Sequence, residues 1–109
     1  MTERRGSIER NTTETSVRVG VDLDGGGVSV STGIPFFDHM LSQLGRHGRF
    51  GLEVECKGDL EVDAHHTIED VGITLGEAFV SALGDKRGVR RFASVRVPLD
   101  EALVEVALD

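Results

Sequence analysis

The sequence predicts an α+β fold, a four-stranded sheet with two helices, and three observations carry that expectation. Apolar residues alternate with polar ones through Val17, Val19, Val21 and Leu23 and again through Phe50, Leu52, Val54 and Cys56, the period of a strand with one buried face. Apolar residues recur at helical spacing through Phe36, Phe37, Met40, Leu41 and Leu44, and through Ile68, Val71, Leu75, Ala78, Phe79 and Ala82. The third observation is an internal repeat: Ser94, Glu101, Val104 and Val106 each stand 87 residues beyond Ser7, Glu14, Val17 and Val19. A unit that begins near the N-terminus therefore starts again near Arg91. The expected organisation is a first half-domain over residues 1–90 and the opening strand of a second over 91–109. Ending at Asp109, where a turn should follow, the chain reads as a fragment of a duplicated fold.

Taken in order, a short mobile leader precedes one strand from Ser7 to Asp24, with Arg18, Gly20 and Asp22 on its polar side. Asp24-Gly25-Gly26-Gly27 predicts a turn, and Val28 to Ser31 the return strand of a hairpin. Gly33-Ile34-Pro35 breaks the pairing, and a helix of about three turns runs to Gly45 or Gly48. The third strand covers Phe50 to Lys57. After a turn at Lys57-Gly58-Asp59, Leu60-Glu61-Val62 is expected to form a short fourth strand that delivers Asp63 as N-cap of the second helix, which extends to about Leu83. Gly76 inside that helix costs about 1 kcal/mol relative to alanine, which predicts close packing against the first helix.

Composition excludes several function classes. Nineteen acidic against twelve basic side chains give a formal charge of -7, which argues against general nucleic-acid or membrane-surface binding. No apolar run is long enough to span a bilayer, and Met1-Thr2-Glu3-Arg4-Arg5 does not lead into a signal-peptide core, so a cytoplasmic protein is expected. The single cysteine, Cys56, alternates with apolar neighbours and is expected to be a small buried hydrophobe in a reducing compartment.

Chemistry concentrates in Asp63-Ala64-His65-His66-Thr67-Ile68-Glu69-Asp70. Residues four apart share a helical face, so His65 and Glu69 can offer an imidazole nitrogen and a carboxylate oxygen to one point, while His66 lies about 100° round the axis. Two metal centres, or one metal and a substrate contact, fit this spacing; a capped helix start with surface histidines is the alternative. Imidazole with carboxylate, in the absence of a thiolate cluster, suits Mn, Fe, Zn or Ni. His39 lies beside Phe36 and Met40, where a core-facing imidazole needs a metal or a backbone carbonyl as partner. His47 is expected to interact with its own helix C-terminus. Lys86, Arg87, Arg90 and Arg91 form a basic cluster that is either a solvated face or a phosphate-holding fork. Glu14 reads, on its own, as a solvated residue at a strand edge.

Four ordered motifs together resemble the imidazoleglycerol-phosphate dehydratase family: Arg10-Asn11-Thr12-Thr13-Glu14-Thr15, Pro35-Phe36-Phe37-Asp38-His39-Met40-Leu41 continuing through Gln43 to His47-Gly48, the segment Asp63 to Asp70, and Gly88-Val89-Arg90-Arg91-Phe92 with Asp100-Glu101-Ala102. The resemblance implies two similar halves, each a four-stranded sheet with two helices on one face, assembled into a homo-oligomer of 24 subunits with two Mn2+ per complete active site, between subunits. By the same resemblance His39 and His66 look like ligands of one metal and His65 and Glu69 like ligands of the other. Glu14 resembles a catalytic glutamate at the substrate's glycerol hydroxyls, Arg91 a phosphate contact, and Asp100 an acidic residue near the site.

The activity implied is that of a metal-dependent lyase of histidine biosynthesis, removing water from D-erythro-imidazole glycerol phosphate to give imidazole acetol phosphate. The proton to be lost has no neighbouring carbonyl to acidify it, so metal acting as Lewis acid and template would lower the barrier. Glu14 and a metal-bound water are both candidates for the proton transfers. Because a second helix pair with its own histidines is absent, the competing expectation is a non-catalytic, metal-binding half-domain that self-associates. A hydrolytic metalloenzyme is disfavoured, since His-Glu-x-x-His does not stand at His65 to Glu69.

Overall fold

In the computed structural model, which describes residues 3–109, β1 (Arg5–Asn11), β2 (Thr15–Asp22) and β3 (Val28–Ser31) lead into α1 (Pro35–Gly48). Then come β4 (Gly51–Gly58), α2 (His65–Leu83), β5 (Ala93–Leu99) and β6 (Ala102–Leu108). The first four strands form a mixed sheet in the order β1-β2-β4-β3, with β1 and β4 antiparallel to β2 and β3 parallel to β4.

The stretch expected as one strand from Ser7 to Asp24 is two. The chain reverses at Thr12, whose amide donates to the Thr15 carbonyl at 2.8 Å and whose hydroxyl accepts from the amides of Glu14 and Thr15 at 3.1 and 3.0 Å. A threonine hydroxyl thus supplies the acceptor that a tight turn needs. Of the expected leader, Arg5 and Gly6 pair with Asp22 and Val21 in β1, while Met1 and Thr2 lie outside the described residues.

Neither does β3 return alongside β2. It pairs with β4 in parallel, Val28 opposite Leu52 and Val30 opposite Val54, with α1 as the crossover. Parallel neighbours need such a connection, and the place beside β2 goes to β4, which matches it over eight residue pairs. Since β4 then has a neighbour on each side, Leu60-Glu61-Val62 cannot fold back to pair with the strand it follows. It forms a turn instead, closed by the Val62 amide donating to the Asp59 carbonyl at 2.9 Å.

Both helices cover one face of the sheet. Val17, Val19, Val21, Leu52, Val54 and Cys56 rise from it as buried residues, and Leu41 of α1 with Val71, Ala78 and Ala82 of α2 close over them. The core stripe of α2 includes the small polar residues Thr67, Asp70 and Thr74, so its line of approach is narrow. That closeness is set by Gly6: a Cβ there would lie 2.2 Å from the Ala78 carbonyl oxygen. Gly76, expected to be the close-packing glycine, has no such neighbour, because it sits on the outer side of α2. On α1 the sheet takes Phe37, Leu41 and Gly45, and Phe36, Met40 and Leu44 face outward. Gly45 decides this orientation, since a side chain there would crowd Val28 at 2.9 Å. The helix ends at Gly48, with Arg49 in the left-handed region at φ 60°.

The other face of the sheet is polar, with Arg18 set between Glu9 and Glu55 at 3.5 and 3.7 Å. Residues 91–109, read as one opening strand, contain the β5–β6 hairpin, so Ala102–Leu108 has its mate within the chain. Its register repeats that of β1–β2 at the same offset: Ser7 opposite Gly20 and Ile8 opposite Val19 correspond to Ser94 opposite Ala107 and Val95 opposite Val106. Arg96 and Glu105 pair across its polar side. Among the described residues no helix is long and apolar enough to cross a membrane.

Candidate metal and substrate site

The segment from Gly58 to Asp70 gathers the candidate residues at the N-terminal end of α2. Gly58 lets the helix start lie against β4, since a Cβ there would meet the Thr67 hydroxyl at 2.1 Å. Asp63 Oδ1 accepts the His65 amide at 2.8 Å, but the residue immediately before the helix is Ala64 rather than the expected Asp63 cap. His65 and Glu69 meet as their spacing predicts, Nε2 and Oε2 being 3.2 Å apart on an exposed face. The His66 ring leaves in a different direction. Its Nδ1 is 2.7 Å from Asp59 Oδ2, and the His65 and His66 rings stand edge to face with centroids 5.3 Å apart. The Asp59 carboxylate pushes the His66 imidazole above its ordinary value of 6.5, burial opposes this, and the charges of Glu14 and Asp63 add to it.

The β1–β2 turn that carries Glu14 is held at the same end of the molecule by contacts to Asp70 of α2. Glu14 is exposed, but its neighbour Thr15 is buried and donates to Asp70 Oδ2 at 2.5 Å, while Arg10 Nε approaches Asp70 Oδ1 at 3.4 Å. The Thr15 hydroxyl first, and then Arg10, hold the Asp70 carboxyl below its ordinary value against the opposing effect of burial. Asp70 thereby fastens the helix bearing His66 and Glu69 to the strand pair bearing Glu14. Neither Asp59 nor Asp70 had been assigned a role from the sequence. The only hint for Asp59 was its acidic side chain a few residues before the histidine pair.

His39 is exposed on α1 rather than core-facing, because the Phe36 and Met40 strip beside it points away from the sheet. His47, in the last turn of α1, shares a hydrogen bond of 2.9 Å with Gln43. Arg91 is exposed, lies with Leu83, Lys86 and Val89 around a surface hollow, and donates to Asp109 at 2.8 Å. Asp100 stands at the β5–β6 turn with φ 51°. Cys56 is buried, as expected, and burial pushes its thiol up.

Imidazole and carboxylate donors with a free face suit a borderline divalent metal. Among the described residues, however, no three histidine, cysteine or acidic side chains converge. Of the four candidate ligands, the structure brings His65 and Glu69 together, while His66 pairs with Asp59 and His39 stands apart on α1.

Comparison with known proteins places this arrangement in a family. The chain is 56% identical over 110 residues to an imidazoleglycerol-phosphate dehydratase of Pseudomonas paraeruginosa, covering 100% of this chain and 56% of that protein. A relative of the same description from Aminomonas aminovorus is 59% identical over 107 residues, covering 97% of this chain and 55% of its own length. The crystal structure of imidazoleglycerol-phosphate dehydratase from Staphylococcus aureus subsp. aureus N315 superposes with a TM-score of 0.80 at 27% identity, over 94% of this chain and 56% of that one. The chain thus spans about half the length of the curated relatives it matches. With residues 32–109 also matching the family model for imidazoleglycerol-phosphate dehydratase, the chain belongs to that family.

Proposed function

We propose that this chain supplies the first half-domain, residues 1–90, and the start of a second, residues 91–109, of a lyase that removes water from D-erythro-imidazole glycerol phosphate to give imidazole acetol phosphate in histidine biosynthesis. The observation that carries this reading is the His65 and Glu69 pair, 3.2 Å apart on the first turn of α2, in a chain of the dehydratase family. His65 and Glu69 would hold one manganese ion and His39 and His66 the other. When bound, the metal supplies Lewis-acid stabilisation and a template for the substrate's imidazole ring. Glu14 accepts hydrogen bonds from the glycerol hydroxyls and orients the carbon chain so that hydroxide leaves one carbon and a proton its neighbour, the resulting enol becoming the ketone. Arg91, whose guanidinium can exchange the Asp109 carboxylate for a phosphate, binds the substrate's anionic end.

Because no three donors converge among the described residues, a sister half or a second copy would complete each shell. The family resemblance implies a homo-oligomer of 24 subunits, and the reading is of an assembly acting in the cytoplasm on a small phosphorylated imidazole, without a nucleic-acid or membrane partner. The same incomplete donor set favours a second reading for this polypeptide alone, a metal-binding, self-associating half-domain without turnover. Manganese content per chain, measured alongside formation of imidazole acetol phosphate, separates the two. Product formed in proportion to bound manganese supports the lyase, metal without product supports the half-domain, and neither metal nor product in the assembled protein overturns both.

A further inference from the structure

We propose that Asp59 is a positioning residue that fixes the ring of His66 in the tautomer protonated on Nδ1, so that Nε2 is the atom presented to the metal. The inference rests on the metal reading above but concerns a residue that reading does not use. His66 Nδ1 lies 2.7 Å from Asp59 Oδ2, and a carboxylate in that place only accepts, so the shared proton belongs to the ring. With Nδ1 so occupied, Nε2 is the nitrogen left with a lone pair. A histidine that ligates metal commonly gives its other N–H to a carboxylate in this way, which fixes ring orientation and raises ligand basicity.

The surroundings of Asp59 fit such a support. Its side chain is 15% exposed, it follows directly on the end of β4, and its carbonyl accepts the Val62 amide at 2.9 Å, so the backbone that carries it is held in a turn. Its second oxygen, Oδ1, is buried and has no hydrogen-bond partner among the described residues. A dry carboxylate oxygen is costly to keep. Among the described residues no helix cap or strand bond uses this side chain, and its hydrogen bond to His66 is what they offer in return. The neighbouring pair behaves differently: His65 Nε2 already faces Glu69 on open surface.

Two measurements on this chain decide the matter. In 15N-histidine-labelled protein at a pH where the ring is neutral, with His66→Gln used to assign the resonance, His66 is expected as the Nδ1–H tautomer; a dominant Nε2–H form overturns the proposal. In manganese titrations Asp59→Ala is expected to bind metal 10–100-fold more weakly than the parent, whereas Asp59→Asn, whose amide oxygen still accepts from Nδ1–H, stays within a few-fold. Binding by Asp59→Ala within twofold of the parent also overturns it. Should Asp59→Ala fail to fold, the tautomer of the parent still decides. A parent that takes up no manganese defeats the metal reading itself, while undiminished uptake by Asp59→Ala defeats only the role of Asp59.

Discussion

The Thr15 hydroxyl donates to Asp70 Oδ2 across 55 residues of sequence, and through this bond the turn that carries Glu14 is tied to the helix that carries His66 and Glu69. Asp70→Asn keeps the shape but loses the charge that both Thr15 and Arg10 address, and about 1.5–3 kcal/mol of stability should go with it. The pH dependence follows in sign. The folded-state value of Asp70 lies below its ordinary 3.8, so its stabilisation is fully present above that value and is lost as pH falls through the lowered one. Denaturant unfolding in the presence of a chelator should show parent and variant well separated at neutral pH and converging at acid pH. A constant gap down to pH 2 would contradict the assignment.

Two glycines should respond in opposite directions to alanine. Gly6→Ala places a methyl group 2.2 Å from the Ala78 carbonyl oxygen and should cost about 1–3 kcal/mol by pushing α2 off the sheet. Gly76→Ala meets nothing within 4 Å and should stabilise the exposed side of α2 by up to about 1 kcal/mol. Thermal denaturation of the two variants checks both signs.

His65→Ala and Glu69→Ala should each remove one class of bound divalent metal and leave the sheet intact, because both side chains are exposed and neither supports the core. Elemental analysis with far-ultraviolet circular dichroism is the measurement. Unchanged metal content in both variants would sink the pairing.

Arg91→Lys keeps the charge and loses the bidentate fork, so phosphate should inhibit the assembled enzyme less effectively at equal net charge. Identical inhibition of parent and variant would assign Arg91 to its surface ion pair with Asp109.

Assembly should depend on metal and on the outer side of α1. Phe36 is 72% exposed there, with Met40 and Leu44 along the same strip, and the apolar side of the β5–β6 hairpin is open as well. A homo-oligomer that buries these surfaces and shares metal between chains gains stability from both by mass action. Light scattering should show dissociation on chelation, and Phe36→Glu should weaken association with metal present. A chain that stays monomeric at saturating manganese would count against shared sites.

Periodicity along the chain was enough to determine both helices and the β4 strand, because the 3.6-residue and two-residue repeats of apolar side chains depend on near neighbours alone. It also determined the His65 and Glu69 pair, which one helical turn brings together, and the 87-residue offset that the two hairpin registers now share. Strand pairing was a matter for the tertiary structure. The alternation of Val17, Val19 and Val21 is the same whichever strands lie alongside, and only competition among β1, β3 and β4 for the edges of β2 chose two of them. Likewise α1 carries two apolar strips, and the contact of Gly45 with Val28 decided that the one beside His39 would face outward. The bonds from Asp59 to His66 and from Asp70 to Thr15 depend on where separate elements come to rest, so no spacing within either segment announces them.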